Sequence, residues 1–242
     1  MHGVAAIIIG NEVLTAKVVE ANGAHLIRRC RERGIPLVSV HVVPDEVDFI
    51  VEALLLARRR AAAVITSGGV GPTHDDVTVR AVSLALGRPV VMLPRMQAIL
   101  RAAWNGEPPA EAMRMAEAPE GAQLLESSDT RFPVLMADEV YLLPGVPELF
   151  RSQLEAVLAR LPGEPVVLHT LYLRARESDL ARPLDAVAAA MPDVAFGSYP
   201  TFDDAVDYRV KVTIEHRDAA RVAEAAARLR HDFPADSLVR EG

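Results

Sequence analysis

The 242-residue sequence predicts an α/β protein: a doubly wound, mostly parallel sheet followed by a second, smaller α+β unit. Three observations predict it. Short apolar runs alternate with amphipathic helical stretches through the first two thirds of the chain. Those runs are continuous rather than alternating, which implies strands buried on both faces. After the break Pro162-Gly163-Glu164-Pro165 the order changes to strand, helix, strand, strand, helix, strand.

Val4–Ile9 is the first apolar run, and Thr15–Arg33 follows with helical spacing of Val18, Val19, Leu26, Ile27 and Cys30, stopped by Gly34. Leu37–Val43 is the second strand. Pro44-Asp45 opens a helix to Arg60 whose inner face carries Val47, Ile50, Val51, Leu54 and Leu55, and Ala61–Thr66 is the third strand. Short connections between these elements favour a parallel sheet with helices on its faces. Val77–Leu86, Pro94–Trp104 and Pro109–Ala118 read as further helices. Val134–Met136 and Val140–Leu143 flank Ala137-Asp138-Glu139 as a hairpin, and Pro147–Leu161 is a long helix. The expected domains are therefore 1–161 and 166–242. The βαββαβ order of the second suits a small split-βαβ or KH-like module.

Composition narrows the function. With 26 basic and 33 acidic residues the net charge is −7, so nonspecific nucleic-acid binding is disfavoured and no nucleic-acid partner is expected. Lys17 and Lys211, the only lysines, lie outside any Gly-rich loop, which excludes a P-loop NTPase. The single Cys30 excludes an internal disulfide framework and fits a reducing, cytoplasmic compartment. The first apolar run lacks a basic leader and breaks at Gly10-Asn11-Glu12, so it reads as a strand and not a signal peptide. No uncharged stretch approaches the roughly 18–20 residues of a membrane helix, so no membrane partner is expected. The histidines lack metal-ligand spacing.

Three polar or Gly-rich segments each follow a predicted strand: Gly10-Asn11-Glu12-Val13-Leu14, the run Thr66–Thr78, and Leu143-Pro144-Gly145-Val146-Pro147-Glu148. In open α/β sheets ligands bind beyond the carboxyl ends of the strands, so the three loops are expected to form one pocket. Ser67, Gly68, Gly69, Gly71, Pro72 and Thr73 suit a phosphate cradle, because glycines let successive N–H groups turn inward ahead of a helix N-terminus at Val77. Asp75 and Asp76 would repel a bare phosphate. A divalent cation held by Glu12, Asp75 and Asp76 resolves that conflict and makes the three the expected metal-ligating and catalytic carboxylates. Two plainer readings stand beside this one. Thr73-His74-Asp75-Asp76 also fits a helix-capping box, and Pro144-Gly145-Val146-Pro147 also fits a rigid turn with an N1 proline.

The loops resemble those of the MoCF or MogA-like molybdopterin-binding domain, in the branch found in CinA-type competence/damage-inducible proteins and in eukaryotic-type FAD synthases. Thr66–Thr78 is the most specific match. Gly10-Asn11-Glu12 with Asn22 downstream, Arg114-Met115-Ala116 before Pro119-Glu120-Gly121-Ala122, and Leu143–Phe150 match further blocks in the same order, covering about residues 1–160. Leu171-Tyr172, Gly197-Ser198-Tyr199-Pro200 and Tyr208–Val212 are more similar to the FAD-synthase form.

The resemblance implies a metal-dependent pyrophosphatase acting on ADP-ribose or FAD, with Mg²⁺, Co²⁺ or Ni²⁺ and with potassium. It places Gly10, Asn11, Asn22, Pro144, Gly145, Pro147 and Glu148 among the substrate-binding residues and implies a homodimer. The rival it carries is a molybdopterin-binding protein that takes a pterin phosphate in the same pocket without hydrolysis; a third reading is a degenerate interaction module. The C-terminal catalytic domains of both branches, a deamidase or an adenylyltransferase, have no counterpart within these 242 residues. Two departures stand out: Ala16 occupies a usual Gly position, and the CinA-type Asn and Gly are replaced around Ser127-Ser128-Asp129.

Overall fold

The computed structural model describes residues 3–104, 106–127 and 132–242. Ser128 and Asp129 lie outside them. The chain divides into two compact units, Met1–Gly163 and Glu164–Gly242.

In the first unit the elements run β1 (Val4–Ile9), α1 (Asn11–Leu14), α2 (Asn22–Glu32), β2 (Leu37–Val43), α3 (Val47–Arg58), β3 (Ala63–Ser67), α4 (Thr78–Leu86), β4 (Val90–Met92) and α5 (Pro94–Ala103). They continue with α6 (Ala110–Met113), a 3₁₀ turn at Arg114–Ala116, β5 (Glu117–Pro119), β6 (Gln123–Leu125), β7 (Val134–Ala137), β8 (Val140–Leu143) and α7 (Pro147–Leu158). The main sheet has the order β2-β1-β3-β8-β7-β6. Strands β2, β1, β3 and β8 are parallel, and β7 runs antiparallel to both β8 and β6, so the sheet is mixed.

Both faces are covered, as continuous apolar strands require. Val4, Ala6 and Ile65 pack with Leu26 and Cys30 of α2 and Phe150, Leu154 and Val157 of α7. Ala5, Ile7 and Val64 pack on the other face with Ile50 and Leu54 of α3 and Ala81 and Val82 of α4. A smaller cluster of Met96, Leu100 and Ala116 is joined by Met113, Met115 and Phe132.

Four sequence expectations are corrected here. The helix expected over Thr15–Arg33 starts only at Asn22. Ala16 has φ 55°, which breaks helical geometry, and the Glu20 carboxylate accepts from the backbone N–H groups of Gly23 (2.6 Å) and Ala24 (3.3 Å), fixing the start of α2. The helix expected over Pro109–Ala118 is two short turns, because Glu117–Pro119 is drawn into a two-stranded antiparallel sheet with β4. β2 is half-buried and alternating, not doubly buried, since it is an edge strand. Leu55, placed on the inner face by spacing, is exposed.

The second unit contains β9 (Val167–Leu173), α8 (Glu177–Ala190), β10 (Ala195–Pro200), β11 (Val210–His216), α9 (Ala219–Asp232) and β12 (Leu238–Glu241). Its sheet is antiparallel with the order β10-β11-β9-β12, a split-βαβ arrangement. Leu171, Val212 and Ile214 pack with Leu180 and Val187 of α8 and Val222 and Leu229 of α9. The register sets Tyr199, Lys211, Tyr172 and Arg240 side by side across the four strands. Lys211 Nζ lies 4.9 Å from the Tyr199 ring centre and Arg240 Cζ 4.2 Å from that of Tyr172, so the cations and rings satisfy one another.

Candidate functional site

Strands β1, β3 and β8 are parallel neighbours, so the loops leaving their carboxyl ends meet at one edge of the sheet. Gly68 (φ 108°) is where they touch: a Cβ there would overlap the Ile9 carbonyl at the end of β1, and a Cβ on Gly145 of the third loop would come into van der Waals contact with the Gly68 Cα. Gly69 (φ 66°) is left-handed, and a side chain there would strike the Thr78 hydroxyl. Thr78 returns the support, its hydroxyl donating to Gly68 O (2.8 Å) and its N–H to Gly69 O (3.0 Å). Buried Asn22 joins two of the loops, with Nδ2 donating to Ser67 Oγ (2.9 Å) and Gly145 O (2.8 Å).

A cavity of about 620 Å³ opens over this junction. One side is polar: Glu12, Asp45, Gly68, Gly69, Gly71, Asp75, Asp76 and Arg114 line it, with Pro144 and Gly145 beside them. Met96, Leu100, Met115, Phe132 and Leu149 give the rest of the lining an apolar wall. Gly10, Asn11, Asn22, Ser67, Pro72, Thr73, Pro147 and Glu148 do not line it. Several of these support it from behind: Asn11 N–H donates to Asp45 (2.7 Å), Pro72 O accepts from Arg114 (3.4 Å), and Pro147 starts α7. His74 points into solvent.

Sequence reasoning missed Asp45, Gln153 and the apolar wall. In the sequence Asp45 has the pattern of a helix opener, although it follows a parallel strand as the other loops do. Burial raises the Asp45 carboxyl above its ordinary pKa, and the nearby charges of Glu12, Asp75 and Asp76 add to this, while the Asn11 N–H opposes it. Arg114, within the family block Arg114-Met115-Ala116, is the cationic side chain in the lining.

The expected metal centre is corrected. Asp76 Oδ2 is engaged by the Thr73 N–H (2.7 Å) and hydroxyl (2.5 Å), closing the loop on itself. The capping-box reading fails as well, since α4 is preceded by Val77 and has no side-chain cap. Asp75 and Glu12 are exposed. Among the described residues no group of three His, Cys, Asp or Glu side chains is placed to hold a metal ion.

A glycine-rich loop and a cavity with an apolar lining thus lie together at the carboxyl edge of a doubly wound sheet. The comparisons give the family. A family profile described as "Probable molybdopterin binding domain" matches residues 5–163, and the chain belongs to that family. Residues 165–242 match a profile described as "FAD synthase, middle domain". A CinA-like protein of Gemmatimonas aurantiaca is 31% identical over 241 residues, covering 92% of this chain and 56% of that protein. A probable FAD synthase of Caenorhabditis elegans is 30% identical over 254 residues, covering 93% and 49%. The chain thus spans about half the length of these two relatives. The crystal structure of the protein CinA from Thermoplasma acidophilum superposes with a TM-score of 0.60 at 26% identity, covering 65% of this chain and 96% of that one.

The family overturns the leading functional expectation. The matched profile is a molybdopterin-binding one, and the three carboxylates expected to hold a catalytic metal do not form a metal site. The metal-dependent hydrolase of ADP-ribose or FAD is withdrawn. No helix among the described residues is long and apolar enough to cross a membrane.

Proposed function

We propose that the first unit binds a phosphorylated pterin of the molybdopterin type, as a component of molybdenum-cofactor metabolism without hydrolase activity. The observation that carries this reading is the juxtaposition, in one cavity, of the Gly68-Gly69-Gly71 loop and the wall of Met96, Leu100, Met115, Phe132 and Leu149. Past Gly68, whose N–H donates to Leu143 O (3.0 Å), the loop turns backbone N–H groups toward phosphate oxygens, and Arg114 adds a charge-assisted donor. The apolar wall takes the face of the ring system, where burial favours a flat heterocycle over a hydrated sugar. Ser67 and Thr73 back the cradle; Gly10, Asn11, Asn22, Pro72, Pro147 and Glu148 hold the loops in position.

The test is pterin fluorescence of the purified chain, followed by titration with a pterin phosphate and with a nucleotide panel. Saturable pterin binding with no product from any nucleotide is expected. Failure to bind pterin phosphate at millimolar concentration would sink the reading. Repeating the titration with Mg²⁺, Co²⁺, Ni²⁺ or K⁺ measures whether a cation enters with the phosphate.

Three finer readings complete the proposal. Domain limits at 1–161 and 166–242 predict protease cleavage within 162–165. The KH-like description of the second unit rests on its β-α-β-β-α-β order. A cytoplasmic location rests on the single, buried Cys30, and cell fractionation tests it.

A further inference from the structure

α7 buries Phe150, Leu154, Val157 and Leu158 in the core, and with them it buries Gln153, which is 4% exposed. A carboxamide at such a position is costly unless both of its ends are hydrogen-bonded. Only one end is. Gln153 Nε2 donates to Phe132 O (3.0 Å), and because a backbone carbonyl can only accept, that bond fixes which way round the amide sits. Gln153 Oε1 is left as a buried acceptor without a partner among the described residues. Asn22 Oδ1, Ser83 Oγ and Ser152 Oγ share that condition, but their residues do not line the cavity. Gln153 does line it, together with Phe132 and Leu149 of the apolar wall.

We infer that Gln153 reads the ring: its Oε1 accepts a hydrogen bond from an amino or ring N–H group of the bound heterocycle, so the site selects flat rings with a donor edge over flat rings without one. This deepens the pterin phosphate reading of the cavity and rests on it. An apolar wall alone would take any flat ring. A buried acceptor in that wall discriminates, because a ring without donors leaves it unpaired. Oε1 is closed to solvent, so water competes poorly for it. Met96 and Met115 of the same lining are unbranched side chains that shift to admit a ring edge. α7 starts at the third loop with Pro147, and Gln153 lies about 9 Å further along the helix at roughly 1.5 Å per residue. Ring reading and phosphate holding thus fall to separate points of one cavity.

The experiment titrates the full chain with two compounds, a pterin phosphate and the same molecule methylated at its amino and ring N–H groups. Wild type should prefer the unmethylated compound by about tenfold or more. Gln153→Met, similar in volume but without the amide oxygen, should keep the circular dichroism of wild type and bring the two affinities within about threefold of each other. Gln153→Glu, which retains an acceptor oxygen, should retain the preference. If Gln153 only braced Phe132, the Met variant would lower both affinities together and leave their ratio. A steric effect of the methyl groups would also survive in that variant, whose side chain fills the same space. An unchanged ratio in a folded Gln153→Met, or no preference in wild type or in a folded Gln153→Glu, would overturn the inference and leave the pterin reading standing. Wild type that binds neither compound would overturn that reading and the inference with it. Should Gln153→Met fail to fold, the wild-type ratio and Gln153→Glu decide it.

Discussion

Ala16 has φ 55°, in the left-handed region that glycine enters without steric cost. The family's usual glycine at this position therefore has a physical explanation, and Ala16→Gly is expected to raise stability by about 0.5–1 kcal/mol, the relieved strand of Cβ repulsion less the added unfolded-state entropy. Thermal melting of the pair checks it. Asn22 carries a different kind of load, since its amide joins Ser67 to Gly145 from a buried position. Asn22→Ala should cost about 1–3 kcal/mol and weaken pterin phosphate binding, read by denaturation and by fluorescence titration. At Asp45 the raised pKa means that the folded state holds the proton more tightly than the unfolded chain. That contribution is present below the ordinary carboxylate range and is lost as pH rises through the raised value. Asp45→Asn should thus raise the melting temperature at pH 7 and change it little near pH 3, where both side chains are neutral. Of these residues, Asn22 was legible through a family motif. Asp45 was not, because nothing local distinguishes a carboxylate that opens a helix from one that a neighbouring loop covers.

At the scale of elements, α2 and α7 are held together on one face of the sheet by Glu155, whose carboxylate accepts from Arg29 Nε (2.8 Å), Arg29 Nη2 (2.9 Å) and Arg33 Nη2 (2.7 Å). The hydrogen bonds from Arg29 lower the Glu155 pKa, against a smaller opposing effect of burial. The stabilisation is present above the ordinary glutamate range and disappears as pH falls through the lowered value. Glu155→Gln should destabilise at pH 7 by about 1 kcal/mol, the upper end for partly exposed pairs because the arginine contact is bidentate, and by nothing measurable once both variants are neutral. Melting curves at the two pH values test this. The elements themselves were mostly readable from hydrophobic period. The exceptions have causes: Val18 and Val19 mimic helical spacing in a loop, and Glu117–Pro119 pairs with a strand 27 residues earlier at Val90, a contact that no local window contains.

For the whole molecule, all cavity-lining residues precede Gly163, and the second unit has a core of its own. The segment 1–163 alone should therefore fold cooperatively and bind pterin phosphate within threefold of the full chain, as calorimetry and titration can measure. Loss of binding by a folded segment would mean that the second unit supplies ligand contacts. What the sequence by itself determined was the alternation of strand and helix, the break near Pro162, and the three loops that follow strands, because these depend on local periodicity and on the backbone freedom of glycine and proline. Tertiary structure alone decided which carboxylates share the pocket, that Asp76 is spent on Thr73, and that Met96, Phe132 and Leu149 form its apolar wall. The reason is geometric: a side chain's chemistry is set by the groups within a few ångströms of it, and in a parallel sheet those come from segments separated by long crossover connections.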